Sequence, residues 1–464
     1  MAAVAASPRA ALRVVQPALA LRGEVTVPGD KSITHRAVML NAIATGTATV
    51  RGAGLGADCL STASCMRALG ASVRRRWPTG DLTDNLRRNP STGQDDRADA
   101  VLVVEGRGRL GLAEPADVLD AGNSGTTARL LSGILAGQSF FSVLTGDASL
   151  RSRPMGRVVQ PLRQMGAQLD ARRGGTLLPL AVSPARLKGT RLDTGVASAQ
   201  LQSCLLLAGL YAEGMTEIAQ PELSRDHTER LLAAQGAHLE ADRLLLRITG
   251  QPDLRAVDVE VPGDLSSAAF WLVAACIHPN ARVTVRNVGV NPSRTGLLDV
   301  LREMGARLLI ENERVEGGEP VADVTAESSR LMGVSVGGQL IPRLIDEVPV
   351  LAVAAAVAEG VTTIRGAAEL RVKESDRLAG IAAELNKLGA RVEEQPDGLT
   401  IRGGRLAGGE VEAYGDHRMA MSLAVAALAA AGPVFISGGE CVDISYPTYW
   451  SDLEHLAPGS TREV

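Results

Sequence analysis

Aromatic side chains are scarce, at 2% of the 464 residues: three Trp, four Tyr and four Phe. That scarcity speaks against base-stacking platforms for single-stranded nucleic acid and against an aromatic-lined ligand pocket. Cysteine is sparse too. Cys59, Cys65, Cys204, Cys276 and Cys441 are odd in number and form no C-x-x-C pair. Neither a disulfide framework nor a zinc ribbon follows, and a reducing compartment is the simplest setting. Long apolar runs are missing, since Leu205–Ala212 and Val348–Ala358 are too short to span a bilayer. A strong charge of either sign is missing as well. The formal net charge of -4 does not suit a general nucleic-acid or membrane surface, so any basic character must be local.

What is present is an ordinary globular composition, 45% apolar and 22% charged, in a chain too long for one core. Two domains are therefore expected. Met1 to Gly23 is Ala-rich, carries Arg9, Arg13 and Arg22 and has no acidic residue, as transit peptides do. With one Ser and an early strand-like pattern, it reads as an ordinary N-terminal extension.

Internal self-similarity organises the rest. A short signature recurs as Leu69-Gly70-Ala71, Met165-Gly166-Ala167, Gln235-Gly236-Ala237, Met304-Gly305-Ala306 and Leu388-Gly389-Ala390. Each closes a helical pattern and precedes alternating, strand-like residues, so the Gly suits a left-handed helix cap. Upstream of each signature lies an Ala/Leu-rich helix, a turn and a β-run. The six β-runs are Thr47–Arg51, Ser139–Leu144, Met215–Ala219, Arg282–Asn287, Val361–Arg365 and Pro433–Ser437. Six units follow, three in each half. The sixth lacks closing strands, and Leu12–Val27 has no helix before it. This N-terminal run is expected to complete the C-terminal half. The chain then crosses between domains twice, at the twin sequences Val27-Pro28-Gly29-Asp30 and Val261-Pro262-Gly263-Asp264. The expected division is 1–29 with the C-terminal domain, 30–260 as the N-terminal domain and 261–464 as the C-terminal domain. Polar residues 77–98 read as a surface insertion.

Chemistry-bearing residues gather just before the first helix of each unit. They are Gly29–Arg36, Gly122–Arg129, Ala197–Gln200, Asp264–Ser267, Leu344–Glu347 and Tyr414–Arg418. Helix starts offer unpaired N–H groups and a positive dipole end, so several converging on one cleft would hold a multiply charged anion. Ser266 and Ser267 read more simply as N-caps. Lys31, Arg129 and Arg418 resist that simple reading, because cations at a helix start oppose the dipole unless an anion sits there. Further charges lie after the β-runs: Arg151 and Arg153, Arg225-Asp226-His227, and Lys373-Glu374-Ser375-Asp376-Arg377. Cys204 and Cys276 read as core packing, and His227 as a cap or an ion-pair partner.

The motifs PGDKSITHR, AGNSGTT, SRPMGR, SAQLQS, SRDHTE, LIDE, RVKESDR and GDHRMAMS give the sequence a close resemblance to the 5-enolpyruvylshikimate-3-phosphate synthase family, from Val25 to Pro447. The resemblance implies an α/β (α+β) fold of two inverse-barrel domains, each three copies of a βαβαββ unit, with the active site between them. It implies transfer of the enolpyruvyl group of phosphoenolpyruvate to shikimate 3-phosphate, with no cofactor and no metal. By motif, Lys31, Ser32, Arg36, Ser198, Ala199, Gln200, Arg225, Asp346 and Lys373 would hold shikimate 3-phosphate. Lys31, Asn123, Gly125, Thr126, Arg153, Gln200, Arg377 and Arg418 would hold phosphoenolpyruvate, with Gly125 leaving room that a side chain would fill. Asp346, Glu374, Lys31 and His417 would carry the proton traffic.

The pattern departs from the family at three places. Ile444 stands where many relatives carry Lys, Gln202 where some do, and Glu369 where Asn is common. Two rivals compete with this reading: a non-catalytic anion-binding paralogue, and the sister transferase acting on UDP-N-acetylglucosamine, whose reactive Cys is missing from Gly146–Arg153. A cytoplasmic monomer with small-molecule partners, binding neither nucleic acid nor membrane, is the expectation.

Overall fold

The computed structural model describes residues 12–87 and 100–464; part of the N-terminal extension and half of the polar insertion lie outside the described residues. All six expected β-runs are strands: Thr45–Ala53, Ser142–Thr145, Met215–Ala219, Ala281–Gly289, Val361–Ile364 and Val434–Ser437. Each has a lead helix before it: Lys31–Ala42, Gly125–Leu135, Ala199–Gly209, Leu265–Ile277, Val348–Val357 and His417–Leu428. In five of the six units, the following second helix ends at a signature Gly with φ +87, +98, +90, +93 or +83° (Gly70, Gly166, Gly236, Gly305, Gly389). Only a residue without a Cβ enters that left-handed region at little cost.

The strands form six sheets, one per unit. In each, a short edge strand runs parallel to the β-run, and the remaining neighbours are antiparallel, as between Val361–Ile364 and Gly398–Arg402. Beyond their first turn the lead helices are buried on nearly every side, their few polar residues included. Every residue from Leu265 to Cys276 is buried, as is every residue of His417–Leu428. Such helices are stable only when surrounded. The three in the C-terminal half pack on one another. The sheets lie outside them with one face to water, as the alternating exposure of Arg307–Glu316 shows. Two hydrophobic cores result, one drawing on residues 33–261 and the other on 15–27 and 265–457. This is the two-domain inverse-barrel α/β fold.

Two strands sit in the sheet opposite to their place in the chain. Leu21–Thr26 runs parallel to Ala281–Gly289 in the fourth unit, while Val259–Glu260 runs parallel to Thr45–Ala53 in the first. The connecting segments touch as twins. Asp30 N–H donates to the Pro262 carbonyl at 2.8 Å and Asp264 N–H to the Pro28 carbonyl at 2.9 Å. Leu12–Val15 lies between Val434–Ser437 and a strand at Thr461–Glu463. The sixth unit therefore does supply one closing strand after Leu456, which a three-residue exposed run did not announce.

Five of the eleven aromatics join the chain's C-terminal region to its core. Trp271 stacks on Tyr449 at 4.8 Å between centroids, with Phe270, Tyr446 and Trp450 edge-on around the pair. Burying side chains of this size contributes about 1.5–3 kcal/mol each. The start of the 77–98 segment is less loop-like than its composition suggests. Trp77 and Leu86 are buried, Arg75 stacks over Trp77 at 3.8 Å, and Leu82–Thr83 pairs with Ser72–Arg76. One Trp and one Leu among polar residues sufficed to anchor it. Among the described residues, no helix is long and apolar enough to cross a membrane.

Candidate active site

All six lead helices begin at one cavity of about 480 Å³. Its walls include Lys31 and Ser32, Gly125 and Thr126, Ser198 and Ala199, Asp264, Ile345 and Asp346, and Arg418, each in or just before a first turn. Five of these helices are capped by a side chain that accepts an N–H from its own first turn: Asp30, Ser124, Ser198, Asp264 and Asp416. Asp264, and not Ser266 or Ser267, is the cap of Leu265–Ile277. The Ser266 hydroxyl instead accepts from Arg294 at 2.7 Å and donates to Glu347.

Fifteen of the expected site residues meet at the cavity: Lys31, Ser32, Arg36, Gly125, Thr126, Arg153, Ser198, Ala199, Gln200, Arg225, Asp346, Lys373, Glu374, Arg377 and Arg418. Asn123 and His417 do not reach its wall. Asn123 lies behind Arg153, accepting from it at both the side-chain (2.5 Å) and backbone (3.2 Å) oxygens. His417 is buried, and neither ring nitrogen has a hydrogen-bond partner among the described residues. Burial, then Lys31, push its pKa down to about 3, so the ring is a neutral imidazole at neutral pH.

Two carboxylates from the second half face a ring of cations. Glu374 accepts from Arg377 at 2.7 Å and lies 3.7 Å from Arg153. Asp346 is bound by Arg225 and lies 3.5 Å from Arg377 and 3.8 Å from Lys373. Burial opposes their ionisation, but the cations outweigh it. Lys373, Arg225 and Arg418 hold Asp346, and Arg377, Arg153 and Lys31 hold Glu374, well below the usual carboxylate range. Lys31 donates to Asp58 at 3.0 Å. Burial works against its charge, yet Asp58 raises its pKa, so the ammonium persists.

Sequence reasoning left out several wall residues. Asp58 sits inside the helix Ala57–Ala68, where a lone carboxylate resembles a solvated face. Arg294 has no motif around it, yet it is buried and bridges Asp30 (3.3 Å) and Asp264 (3.1 Å) across the twin crossings. Arg129 and Arg157 complete an arginine group with Arg153. Burial, and then the crowding of Arg157 and Arg153, lower the Arg129 pKa to about 9. Three guanidiniums so placed are relieved by an anion. Arg129 stands out in the sequence as a cation at a helix start; Arg157 carries no such signal. No aromatic side chain lines the cavity among the described residues.

The model of the family described as EPSP synthase (3-phosphoshikimate 1-carboxyvinyltransferase) matches residues 15–453. The chain belongs to the EPSP synthase family. It is 54% identical to the 3-phosphoshikimate 1-carboxyvinyltransferase of Synechococcus sp. strain JA-3-3Ab, covering 95% of this chain and 96% of that one. Identity to the enzyme of that name from Desulforudis audaxviator is 52%, over 95% and 98%. EPSP synthase from Acinetobacter baumannii superposes with a TM-score of 0.82 at 42% identity, over 98% of this chain and 100% of that one. The enolpyruvyl transferase NikO from Streptomyces tendae shares the fold at TM-score 0.74 and 21% identity. Of the three departures from the EPSP synthase pattern, Glu369 is at the cavity, paired with Arg157 at 3.3 Å and Lys373 at 3.4 Å. Ile444 lies off the wall in the turn Gly439–Ile444, where a Cβ on Gly56 would sit 2.3 Å from its carbonyl oxygen. Gln202 lies one layer behind the wall, donating to Glu229.

Proposed function

We propose that this chain is a 3-phosphoshikimate 1-carboxyvinyltransferase of the shikimate pathway. It joins the enolpyruvyl group of phosphoenolpyruvate to the 5-hydroxyl of shikimate 3-phosphate and releases phosphate. Family membership at about half identity supports the reading. The observation that carries it is the meeting of Asp346 and Glu374 with Lys31, Arg153, Arg377 and Arg418 in one cavity. Two ionised acids among many cations suit proton traffic between two anionic substrates.

Ser32, Arg36, Ser198, Ala199, Gln200, Arg225 and Lys373 take shikimate 3-phosphate. Asn123 acts through Arg153, and Gly125, Thr126, Arg153, Gln200, Arg377 and Arg418 take phosphoenolpyruvate. Before substrate binds, the transferable proton is on Lys31, since both acids are ionised. Phosphoenolpyruvate neutralises Arg153 and Arg377, the cations that hold Glu374 down, and so raises that acid's proton affinity. Lys31 then passes its proton through Glu374 to the methylene carbon while Asp346 takes the 5-hydroxyl proton and the oxygen attacks the neighbouring carbon. In the elimination Glu374 removes a methyl proton, and phosphate leaves with the proton held by Asp346. Neutral His417 orients Lys31 and Glu374 by its dipole, not by donating a proton.

The halves 30–260 and 261–464 form the two walls; of the expected segment 1–29, the described residues 12–29 join the second, and 1–11 lie outside the described residues. Free cysteines at all five positions support a reducing, cytoplasmic setting. The test is phosphate release from phosphoenolpyruvate with and without shikimate 3-phosphate. Release that needs both is expected; release from phosphoenolpyruvate alone, or none, would sink the reading.

A further inference from the structure

Behind the part of the wall made by Ser198, Ala199, Ser224 and Arg225 lies a second, polar layer. The helices Lys31–Ala42, Ala199–Gly209 and His227–Ala234 meet there. Arg36 donates to Thr228 and Ser203, each at 2.6 Å, and to the Ser32 carbonyl at 2.9 Å. Beside it the Ser224 hydroxyl donates to Gln202 Oε1, and Gln202 Nε2 donates to Glu229 Oε1. The other carboxylate oxygen, Glu229 Oε2, is shut off from solvent and has no hydrogen-bond partner among the described residues. Glu229 is thus linked through two hydrogen bonds to a cavity-lining hydroxyl, and none of the roles above uses it.

The charges that face it are few. Arg36 comes from Lys31–Ala42, and Asp226 and Arg230 flank it on its own segment. Glu319, from the other half, acts on Arg230. The helix Ala199–Gly209 offers only the amide of Gln202. Burial, with Asp226 adding to it, outweighs the residue's own backbone N–H, Arg36 and Arg230, and pushes the Glu229 carboxyl up to about 7.

We propose that Glu229 is a positioning residue whose charge state sets the affinity of the adjacent subsite for a phosphate-bearing substrate. This rests on the shikimate 3-phosphate reading above. Protonated, the side chain leaves the charge of Arg36 undivided toward the cavity. Ionised, it draws on that charge and repels a phosphate one layer away. Binding is therefore tighter in the protonated state, and the binding of shikimate 3-phosphate takes up a proton when Glu229 starts ionised.

Calorimetric binding of shikimate 3-phosphate to the native chain and to Glu229→Gln, between about pH 6 and pH 8, tests this. The substrate's own phosphate titrates in this range and affects both proteins alike, so the difference between them is the readout. Affinity of the native chain is expected to fall roughly three- to tenfold relative to the variant across that range. Proton uptake on binding near pH 7, measured in two buffers of different ionisation enthalpy, is expected to be larger for the native chain. The kcat of the variant at the acid end is expected to be unchanged. Parallel pH curves with equal proton uptake would overturn the proposal. If Glu229→Gln does not fold, Gln202→Lys serves instead. The added cation keeps Glu229 ionised throughout, so a native-like pH dependence in that variant overturns it too. Shikimate 3-phosphate binding that shows the difference without phosphate release supports this proposal while sinking the catalytic one. No binding to the native chain sinks both.

Discussion

Glu374 is ionised only because Arg377, Arg153 and Lys31 surround it, so its proton affinity depends on what those cations hold. Glu374→Gln keeps the shape and removes the proton site. The expected loss is about 10²–10⁴-fold in kcat with little change in KM, read by phosphate release. A Gln variant with native kcat would remove Glu374 from the mechanism. Gly125 gives a second, contrasting test. A Cβ there would lie 2.8 Å from Arg129 Nη1 and 3.6 Å from Arg153 Nη1, both side-chain ends and not backbone. Gly125→Ala is thus expected to fold with an unchanged Tm and to raise the KM for phosphoenolpyruvate. A lowered Tm with unchanged KM would show that the position serves packing instead.

At the scale of elements, the signature glycines are the part of the fold most legible in the sequence. A Gly two residues past a helix, five times over, has one simple physical reason, and all five take positive φ. Gly236 isolates that reason, since a Cβ on it would meet nothing within 4 Å. Gly236→Ala is expected to cost about 1–2 kcal/mol in urea unfolding from backbone conformation alone. The lead-helix starts were legible too, because Lys31 and Arg418 contradict the dipole unless an anion is bound. What stayed hidden had no local contradiction to reveal it. Asp58 sits inside a helix, Arg294 in a turn and Glu229 in a helical first turn, and each looks solvated until tertiary packing buries it. Trp77 was misleading for the opposite reason: one apolar side chain cannot outvote a polar composition in a sequence window, but it can be anchored in three dimensions.

Across the whole molecule, buried acids held low by cations make folding sensitive to acid. The native pKa values of Asp30, Asp346, Glu374 and Asp416 are depressed. Their contribution is therefore present above the ordinary carboxylate range and is lost as pH falls through the native values. Tm is expected to drop steeply below about pH 4, where the contribution of these four acids is lost. A Tm that holds at the acid end would mean that the cation ring contributes nothing to stability. Deleting residues before Pro28 is a topological test. It removes a strand paired to Val434–Ser437 and another paired to Ala281–Gly289, so cooperative unfolding and protease resistance are expected to be lost from the second half first.

Those two strands also set a timetable. Leu21–Thr26 emerges from the ribosome some 260 residues before Ala281–Arg286, and Leu12–Val15 some 420 residues before Val434–Ser437. At roughly 5–20 residues per second, the leading strands wait on the order of 13–50 s and 20–80 s for their partners. The segment Leu12–Thr26 is made early and folded late, and the nascent chain carries it as unpaired strand until its partners are made.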